Sequence, residues 1–359
     1  MKKTVTLLII TLFVVQTEAQ NRADRQSLSD RESFSMILLG DPQAYVKYDI
    51  NQPILELCTA WIADNIDQLH IKSVLCTGDL VEQNENIVCN RAMLNQTSRE
   101  MWEASSRAFA RLDNKVPYII SCGNHDYGYR AAENASTHFP EYFPFERNSA
   151  WRNTCVSVFP NRNKVESLEN AAFAFHEPCW GDLLVITTEF YPRNEVLTWA
   201  KNLADSDPYK NYKIIVMTHA YMEPQNLKNQ RLTDNPYSLE PGNNGEQIWK
   251  KLLEPTPNIG LLICGHTATG NGEFADNVGF RTDKNKAGKT VNQMMFNVQT
   301  LGGGWEGNGG DGWLRILEFL PDGKTVRVRT YSPLFGISSA TKHLAHRKES
   351  FDEFEFTIE

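Results

Sequence analysis

The stretch VPYIISCGNHDYG, residues 116–128, decides the fold of this chain. Residues 116–122 form a largely apolar run without regular polar alternation, which is typical of a strand covered on both faces of a sheet. Gly123-Asn124-His125-Asp126 follows directly, and a glycine at a strand end lets the backbone turn sharply or approach a ligand closely. Because ligands of open α/β sheets bind at this edge, the stretch predicts a site at the end of a buried strand.

Four further apolar runs share this arrangement, and each is a predicted strand that leads into polar residues. The runs cover residues 34–39, 71–77, 212–218 and 259–264. The polar residues that follow them are Asp41 and Gln43, Asp79, His219, and His266. Carboxylate and amide oxygens and imidazole nitrogens are ligands of divalent metal ions. The sequence therefore predicts a metal site where the ends of these strands meet.

In this order, the five blocks resemble the calcineurin-like metallophosphoesterase superfamily, from about residue 34 to about residue 333. The resemblance implies an α/β fold, a four-layered α/β/β/α sandwich of two mixed sheets around two divalent metal ions. It also implies a metal-dependent phosphoric ester hydrolase, a phosphatase or phosphodiesterase, in which metal-activated water attacks the ester. Strand–helix alternation gives way to consecutive predicted strands over residues 291–298, 313–320 and 325–331, which we expect to form part of the second sheet.

The resemblance also implies the metal ligands. One ion would be held by Asp79, which bridges both ions, and by Asn124, His219 and His266. The other would be held by Asp79 together with Asp41 and Gln43.

This second set departs from the family pattern at two positions. Gln43 stands where the family has a histidine, and Ala268 stands where the family has the last histidine of Gly-His-x-His. A glutamine carbonyl can ligate a hard cation, but an alanine side chain cannot. The site is therefore expected to be weak, more water-ligated, or completed by a group from elsewhere. Candidates for this completion are Thr267, Thr269 and Asn271. The metals are Mn, Fe, Zn or Mg, and oxygen-rich ligation favours Mn or Mg at this site.

Two further roles follow from the resemblance. His125 would act on the scissile phosphate or on the leaving group, and Asp126 would orient the imidazole through a ring N–H. On the substrate side, Trp305 in the glycine-rich segment 302–313 and Arg130 in the aromatic-rich segment 127–170 are candidate binding residues. Arg147 in the same segment is another candidate phosphate contact.

Charge limits the partners of this chain. The chain has 359 residues and a net charge of −8, and a nucleic-acid polymer would require a basic face. We therefore expect a phosphorylated small molecule or a phosphoprotein as substrate. The sequence does not give the oligomeric state.

The domain organisation is read from composition. Residues 1–19 have the Lys-Lys start, short apolar core and Ala19 of a secretory signal peptide, which predicts a periplasmic or secreted protein; a membrane anchor is the alternative. Residues 20–33 are a polar leader, 34–334 the phosphoesterase domain and 335–359 a charged C-terminal extension. No second apolar span follows. In an oxidising compartment, we favour a bridge between Cys155 and Cys179 among the seven cysteines.

A second interpretation belongs to a different functional class. The substitutions at positions 43 and 268 are also typical of a degenerate family member that binds metal or a phosphorylated ligand without turnover. The complete set of ligands around Asp79 and the pair His125-Asp126 favour the enzyme.

Overall fold

The computed structural model describes residues 25–86, 88–89 and 94–359. The predicted signal peptide and the beginning of the predicted leader lie outside the described residues. Within the described ranges, no helix is long and apolar enough to cross a membrane.

The first sheet has seven strands and combines parallel with antiparallel pairs. Its spatial order is β13, β12, β11, β1, β2, β3, and β14 also pairs with β12. The strands are β1 (Phe34–Leu39), β2 (Ile71–Cys76), β3 (Tyr118–Ile120), β11 (Leu314–Phe319), β12 (Thr325–Tyr331), β13 (His346–Arg347) and β14 (Phe354–Thr357). Strands β1, β2 and β3 run parallel, so their carboxyl ends lie at one edge of the sheet.

The second sheet also has seven strands and is also mixed. Its order is β4, β5, β6, β7, β8, β10, β9. The strands are β4 (Cys155–Val158), β5 (Ala171–Glu177), β6 (Gly181–Thr187), β7 (Lys213–Met217), β8 (Ile259–Cys264), β9 (Val278–Lys284) and β10 (Thr290–Phe296). Strands β6, β7, β8 and β10 run parallel, so the residues that follow them also meet at one edge.

Helices cover both sheets. They are α1 (Gln43–Val46), α2 (Gln52–Asp64), α3 (Ser98–Phe109), α4 (Phe139–Tyr142), α5 (Ser149–Thr154), α6 (Asn194–Asp205), α7 (Gly245–Ile248), which continues as a π-helix over Trp249–Leu253, and α8 (Pro333–Gly336). A capping box between Thr97 and Glu100 satisfies backbone donors at the beginning of α3.

Alternation along β7 shows how the layers are arranged. Ile215 and Met217 belong to the core shared with the first sheet and with α2 and α3, whereas Ile214 and Val216 pack in a second core with α6 and the π-helix. Successive side chains of a strand point to opposite faces. The two sheets therefore pack face to face with helices outside each, and the predicted α/β/β/α sandwich of two mixed sheets is confirmed.

Two details of the predicted topology are different in the structure. The three consecutive strands predicted over residues 291–298, 313–320 and 325–331 correspond to β10, β11 and β12. Only β10 belongs to the second sheet; β11 and β12 belong to the first, since β11 pairs antiparallel with β1 and with β12. Residues 335–359 are not a separate extension, because β13 and β14 pair with β12 and Ile358 is buried. The apolar positions 354, 356 and 358 alternate with polar residues, which is the pattern of a half-buried strand.

The aromatic segment 127–170 contributes to the core. Phe139, Phe143 and Trp151 are buried, and the indole nitrogen of Trp151 donates to the carbonyl of Tyr118 at 2.8 Å. The predicted bridge between Cys155 and Cys179 is wrong: all seven cysteines lie in the described part of the chain, and all are free. Cys155 lies opposite Phe173 on β5, and Cys179 lies beyond the far end of that strand.

Candidate metal centre

Glycines allow the ends of several strands to meet. Gly78 has a φ of +107°, and a Cβ there would lie 2.0 Å from the carbonyl oxygen of Ser121. A Cβ on Gly265 would lie 2.2 Å from Oδ1 of Asp41. Any larger residue would therefore push these backbone segments apart, and the carboxylates of Asp41 and Asp79 could not approach the histidines that follow β7 and β8.

Nε2 of His219 is the centre of a cluster of ligand atoms. It lies 3.2 Å from Oδ2 of Asp79, 3.1 Å from Oδ1 of Asn124 and 3.1 Å from Nδ1 of His266. Nδ1 of His219 lies 2.7 Å from the carbonyl of Thr77, so this nitrogen carries the proton and Nε2 has a free lone pair. Four potential ligand atoms this close to one another fit a bound cation. We call these four residues the imidazole half of the centre.

The burial of this half supports the same conclusion. Asp79, Asn124 and His219 are almost completely buried, and among the described residues Asp79, His219 and His266 form a group whose ligand atoms all lie within 4.8 Å of one another. Asp79 and His266 both have left-handed backbones, with φ of 52° and 71°. Such strain persists where the surrounding structure holds it, often at functional sites.

The electrostatics of the metal-free chain show that positive charge is missing. Burial opposes the charged form of His219, but the carboxylates of Asp79 and Asp41 outweigh it and raise its pKa to about 9. Burial favours a neutral Asp79, but His219 and His125 lower its pKa to about 2. Burial and His219 lower the pKa of His266 to about 3. A proton on one imidazole therefore takes the place that a cation would fill.

The other half of the centre is built from oxygen atoms. Oδ1 of Asp41 accepts from the Thr77 hydroxyl at 2.6 Å, and Oδ2 accepts from the backbone N–H of His266 at 2.9 Å. Gln43 is 3% exposed, and no described residue donates to its Oε1. A buried carbonyl oxygen without a donor is unfavourable unless a ligand supplies the missing interaction. This set therefore also fits a cation, and we call Asp41 and Gln43 the oxygen half.

His125 is positioned by a different group from the predicted one. Its Nδ1 lies 2.6 Å from the carbonyl oxygen of Glu82. The carboxylate of Asp126 instead accepts from the backbone N–H of Leu80 at 2.7 Å and of Gly123 at 2.8 Å. The prediction that Asp126 orients His125 is therefore wrong. Asp126 holds together the loops after β2 and β3, because its two oxygens join their backbones.

The sequence profile described as calcineurin-like phosphoesterase matches residues 36–270, more than half of the chain. This chain belongs to the calcineurin-like phosphoesterase family.

Individual relatives of this chain are distant. The uncharacterized protein YvnB of Bacillus subtilis is 26% identical over 310 residues, which are 84% of this chain and 20% of YvnB; the chain thus spans about a fifth of the length of that relative. A dimetal phosphatase from Danio rerio aligns with a TM-score of 0.50 and 11% identity, over 91% of this chain and 99% of the other. The purple acid phosphatase PPD1 from yellow lupin aligns with a TM-score of 0.46 and 12% identity, over 93% and 55%.

A cavity of about 360 Å³ opens over the candidate metal centre. Trp305 lies in its wall, as does His125. Arg130 is exposed and lies outside this wall. Arg147 is held by an ion pair with Asp113 at 2.9 Å. Neither arginine is therefore placed to contact a phosphate in the cavity.

Several residues of the cavity wall were missed by sequence analysis. They are Tyr191, Glu223, Asp234, Tyr237 and Gln299. The residues from Glu223 to Tyr237 lie between His219 and α7 in a segment with little regular structure, and such long connections are often functional. Gln299 closely follows β10 at the same edge of the sheet as the predicted ligands, and this position was the available signal.

Proposed function

We propose that this phosphoesterase hydrolyses a phosphate ester of a small molecule or a phosphoprotein in a metal-dependent reaction. The observation that carries the proposal is the imidazole half, in which four lone-pair atoms converge on one point beneath a cavity that His125 also lines. Without a cation, a buried cluster of this kind must hold a proton in its place, which is why the carboxylates of Asp79 and Asp41 raise the pKa of His219.

Asp79, Asn124, His219 and His266 would hold one divalent ion, and Asp41, Gln43 and Asp79 would hold the other. Bound divalent ions neutralise the charge of a phosphate ester and lower the pKa of coordinated water. The chain contributes the rigidity of the site. Thr77 fixes the tautomer of His219, and the backbone N–H of His266 orients Asp41. Partners of this kind typically change metal affinity or activity by about 10–100-fold.

His125 would deliver a proton to the leaving-group oxygen. Its Nδ1–H donates to the carbonyl of Glu82, which leaves Nε2 for the substrate. Its backbone N–H donates to Oδ1 of Asp79 at 2.9 Å, so the imidazole is fixed beside the metal ligands. A positioned acid of this kind typically contributes roughly 10²–10⁴-fold to the rate.

The cavity wall favours particular substrates. Trp305 and Tyr237 offer aromatic surface, whereas Glu223 and Asp234 place carboxylates there. These acidic groups, together with the overall charge of −8, disfavour a polyanion such as a nucleic acid. The substrate is then an ester whose group beyond the phosphate is neutral or cationic.

The test is hydrolysis of p-nitrophenyl phosphate and bis-p-nitrophenyl phosphate by metal-free protein supplied with Mn, Fe, Zn or Mg. We expect turnover that needs added metal, and the preferred ester gives the class. Metal binding without turnover of either ester would favour the non-catalytic alternative.

We also propose secretion or periplasmic location, supported by the composition of residues 1–19. N-terminal sequencing of the protein from extracellular or periplasmic fractions should begin near Gln20. Protein that retains Met1 in the cytoplasm would contradict this proposal.

A further inference from the structure

Two buried glutamines in the same cavity each have an unsatisfied carbonyl oxygen. Gln43 is 3% exposed and Gln299 is 2% exposed, and both line the cavity. Among the described residues, none donates a hydrogen bond to Oε1 of either side chain. One orphaned carbonyl is unfavourable, and two carbonyls of residues that line one small cavity are both satisfied if they ligate the same cation.

The backbone brings these glutamines together. A Cβ on Gly40 would lie 3.3 Å from the carbonyl oxygen of Phe296 and 3.3 Å from the amide nitrogen of Val298. The segment that leads to Gln43 therefore passes in contact with the segment that leads to Gln299. Asp41, which lies between Gly40 and Gln43, adds a carboxylate to the same region.

Hydrogen bonds place Gln299 beside the segment that contains Ala268. The side-chain amide of Asn297 donates to the carbonyl of His266 at 2.9 Å, and the hydroxyl of Thr300 donates to the carbonyl of Thr269 at 2.8 Å. Gln299 lies between Asn297 and Thr300 in one segment, and Ala268 lies between His266 and Thr269 in the other. The two hydrogen bonds therefore hold the two segments side by side at these residues. The backbone N–H of Gln299 also donates to Oδ1 of Asn297 at 3.2 Å, which fixes the residue in place.

We propose that Gln299 completes the oxygen half of the centre and that its carbonyl oxygen ligates a divalent cation together with Gln43, Asp41 and Asp79. This inference rests on the proposed function, since it concerns the same centre. With amide and carboxylate oxygens as the protein ligands, the ion is a hard cation such as Mn²⁺ or Mg²⁺. Of the three candidates from the sequence, Thr267 lines the cavity and its hydroxyl has no partner among the described residues, so it can share this half with Gln299, whereas Thr269 and Asn271 do not line the cavity.

The test uses Gln299→Leu in the full chain, with Gln293→Leu as a matched control. Gln293 is a buried glutamine within β10, but its carbonyl accepts from Tyr221 at 2.8 Å and from Arg231 at 3.0 Å. Bound Mn²⁺ per chain is counted after dialysis, the affinity of each ion is measured by titration, and thermal midpoints are recorded with and without Mn²⁺.

We expect two ions in the wild-type protein. In Gln299→Leu, the affinity for one of them should fall by at least about tenfold, because removal of even an outer partner of a metal ion typically costs about 10–100-fold. Without metal, Gln299→Leu should be at least as stable as wild type, because the orphaned carbonyl is gone. Gln293→Leu should lose stability but keep both ions. Two ions of unchanged affinity in Gln299→Leu, or a single ion in wild type, would overturn the proposal.

Two results separate this inference from the proposed function. Wild type with two ions, one of them dependent on Gln299, but without hydrolysis of any ester would contradict the function and leave the ligand assignment intact. Metal-dependent hydrolysis that persists with unchanged metal affinity in Gln299→Leu would contradict the ligand assignment and leave the proposed function intact. The double variant Gln299→Leu/Ala268→His should regain the second ion, and failure to regain it would contradict the placement of Gln299 opposite Ala268.

Discussion

The two halves of the metal centre differ in how far the chain has assembled them. In the imidazole half, three ligand atoms already lie 3.1–3.2 Å from the fourth, which is Nε2 of His219. In the oxygen half, the carboxylate of Asp41 accepts hydrogen bonds from the Thr77 hydroxyl and from the backbone N–H of His266. Oε1 of Gln43 accepts from no donor among the described residues. Preorganised, softer imidazole ligation should bind an ion tightly, whereas amide ligation should bind a hard ion more weakly. The difference predicts two metal sites of unequal affinity at a single cavity.

The largest effect is expected at the residue that the two halves share. Asp79→Asn should remove both ions and lower hydrolysis by more than about 100-fold, since it changes a ligand itself rather than an outer partner. Ion content and hydrolysis of p-nitrophenyl phosphate measure this. Asp322→Asn, in the exposed turn between β11 and β12, is the control and should keep both ions. Unchanged ion content in Asp79→Asn would refute its bridging role.

His125 tests whether the chemistry can be separated from the metal. His125→Ala should lower turnover by roughly 10²–10⁴-fold because the proton donor is lost, while both ions stay bound. Single-turnover rates and metal analysis on the same sample would check this. If the variant lost an ion, His125 would have to be reassigned as part of the metal-binding structure.

The comparison between the halves is sharpened by a pair of variants. His219→Ala should abolish the tighter Mn²⁺ site, and Gln43→Ala should weaken only the looser site, by about 10-fold or more. Calorimetric titration of each metal-free variant with Mn²⁺ would resolve the two events. If the site that remains in His219→Ala bound Mn²⁺ more tightly than the tightest site in Gln43→Ala, the oxygen half would be the tighter one, which would contradict this order of affinities.

Asp126 should affect stability more than catalysis. Its carboxylate accepts two backbone N–H groups, and an asparagine can accept only with its single oxygen, so one buried donor loses its partner. Asp126→Asn should therefore destabilise the metal-free protein by about 1–3 kcal/mol, measured by urea unfolding. Unchanged stability with an altered pH dependence of turnover would instead restore the role of Asp126 in orienting His125.

Local patterns in the sequence predicted most of what positions the site. Apolar runs fix the strands β1, β2, β7 and β8, and the polar residues that follow them meet because parallel strands end at one edge. The pairing of β11 with β1 was not predictable, since it joins residues 275–285 positions apart and depends on packing rather than on any local pattern. The partners of Asp126 are backbone N–H groups of two loops, which no residue type reveals. Gln299 was missed because a lone polar residue after a strand also fits a turn.

The decisive experiment is a titration of the metal-free protein with Mn²⁺, in which bound ions and hydrolysis of p-nitrophenyl phosphate and bis-p-nitrophenyl phosphate are followed together. We expect two ions per chain, bound with clearly different affinities, and hydrolysis of one of the esters that depends on bound metal. No bound ion, or two bound ions with neither ester hydrolysed under any added metal, would contradict the assignment of this chain as a metal-dependent phosphoesterase.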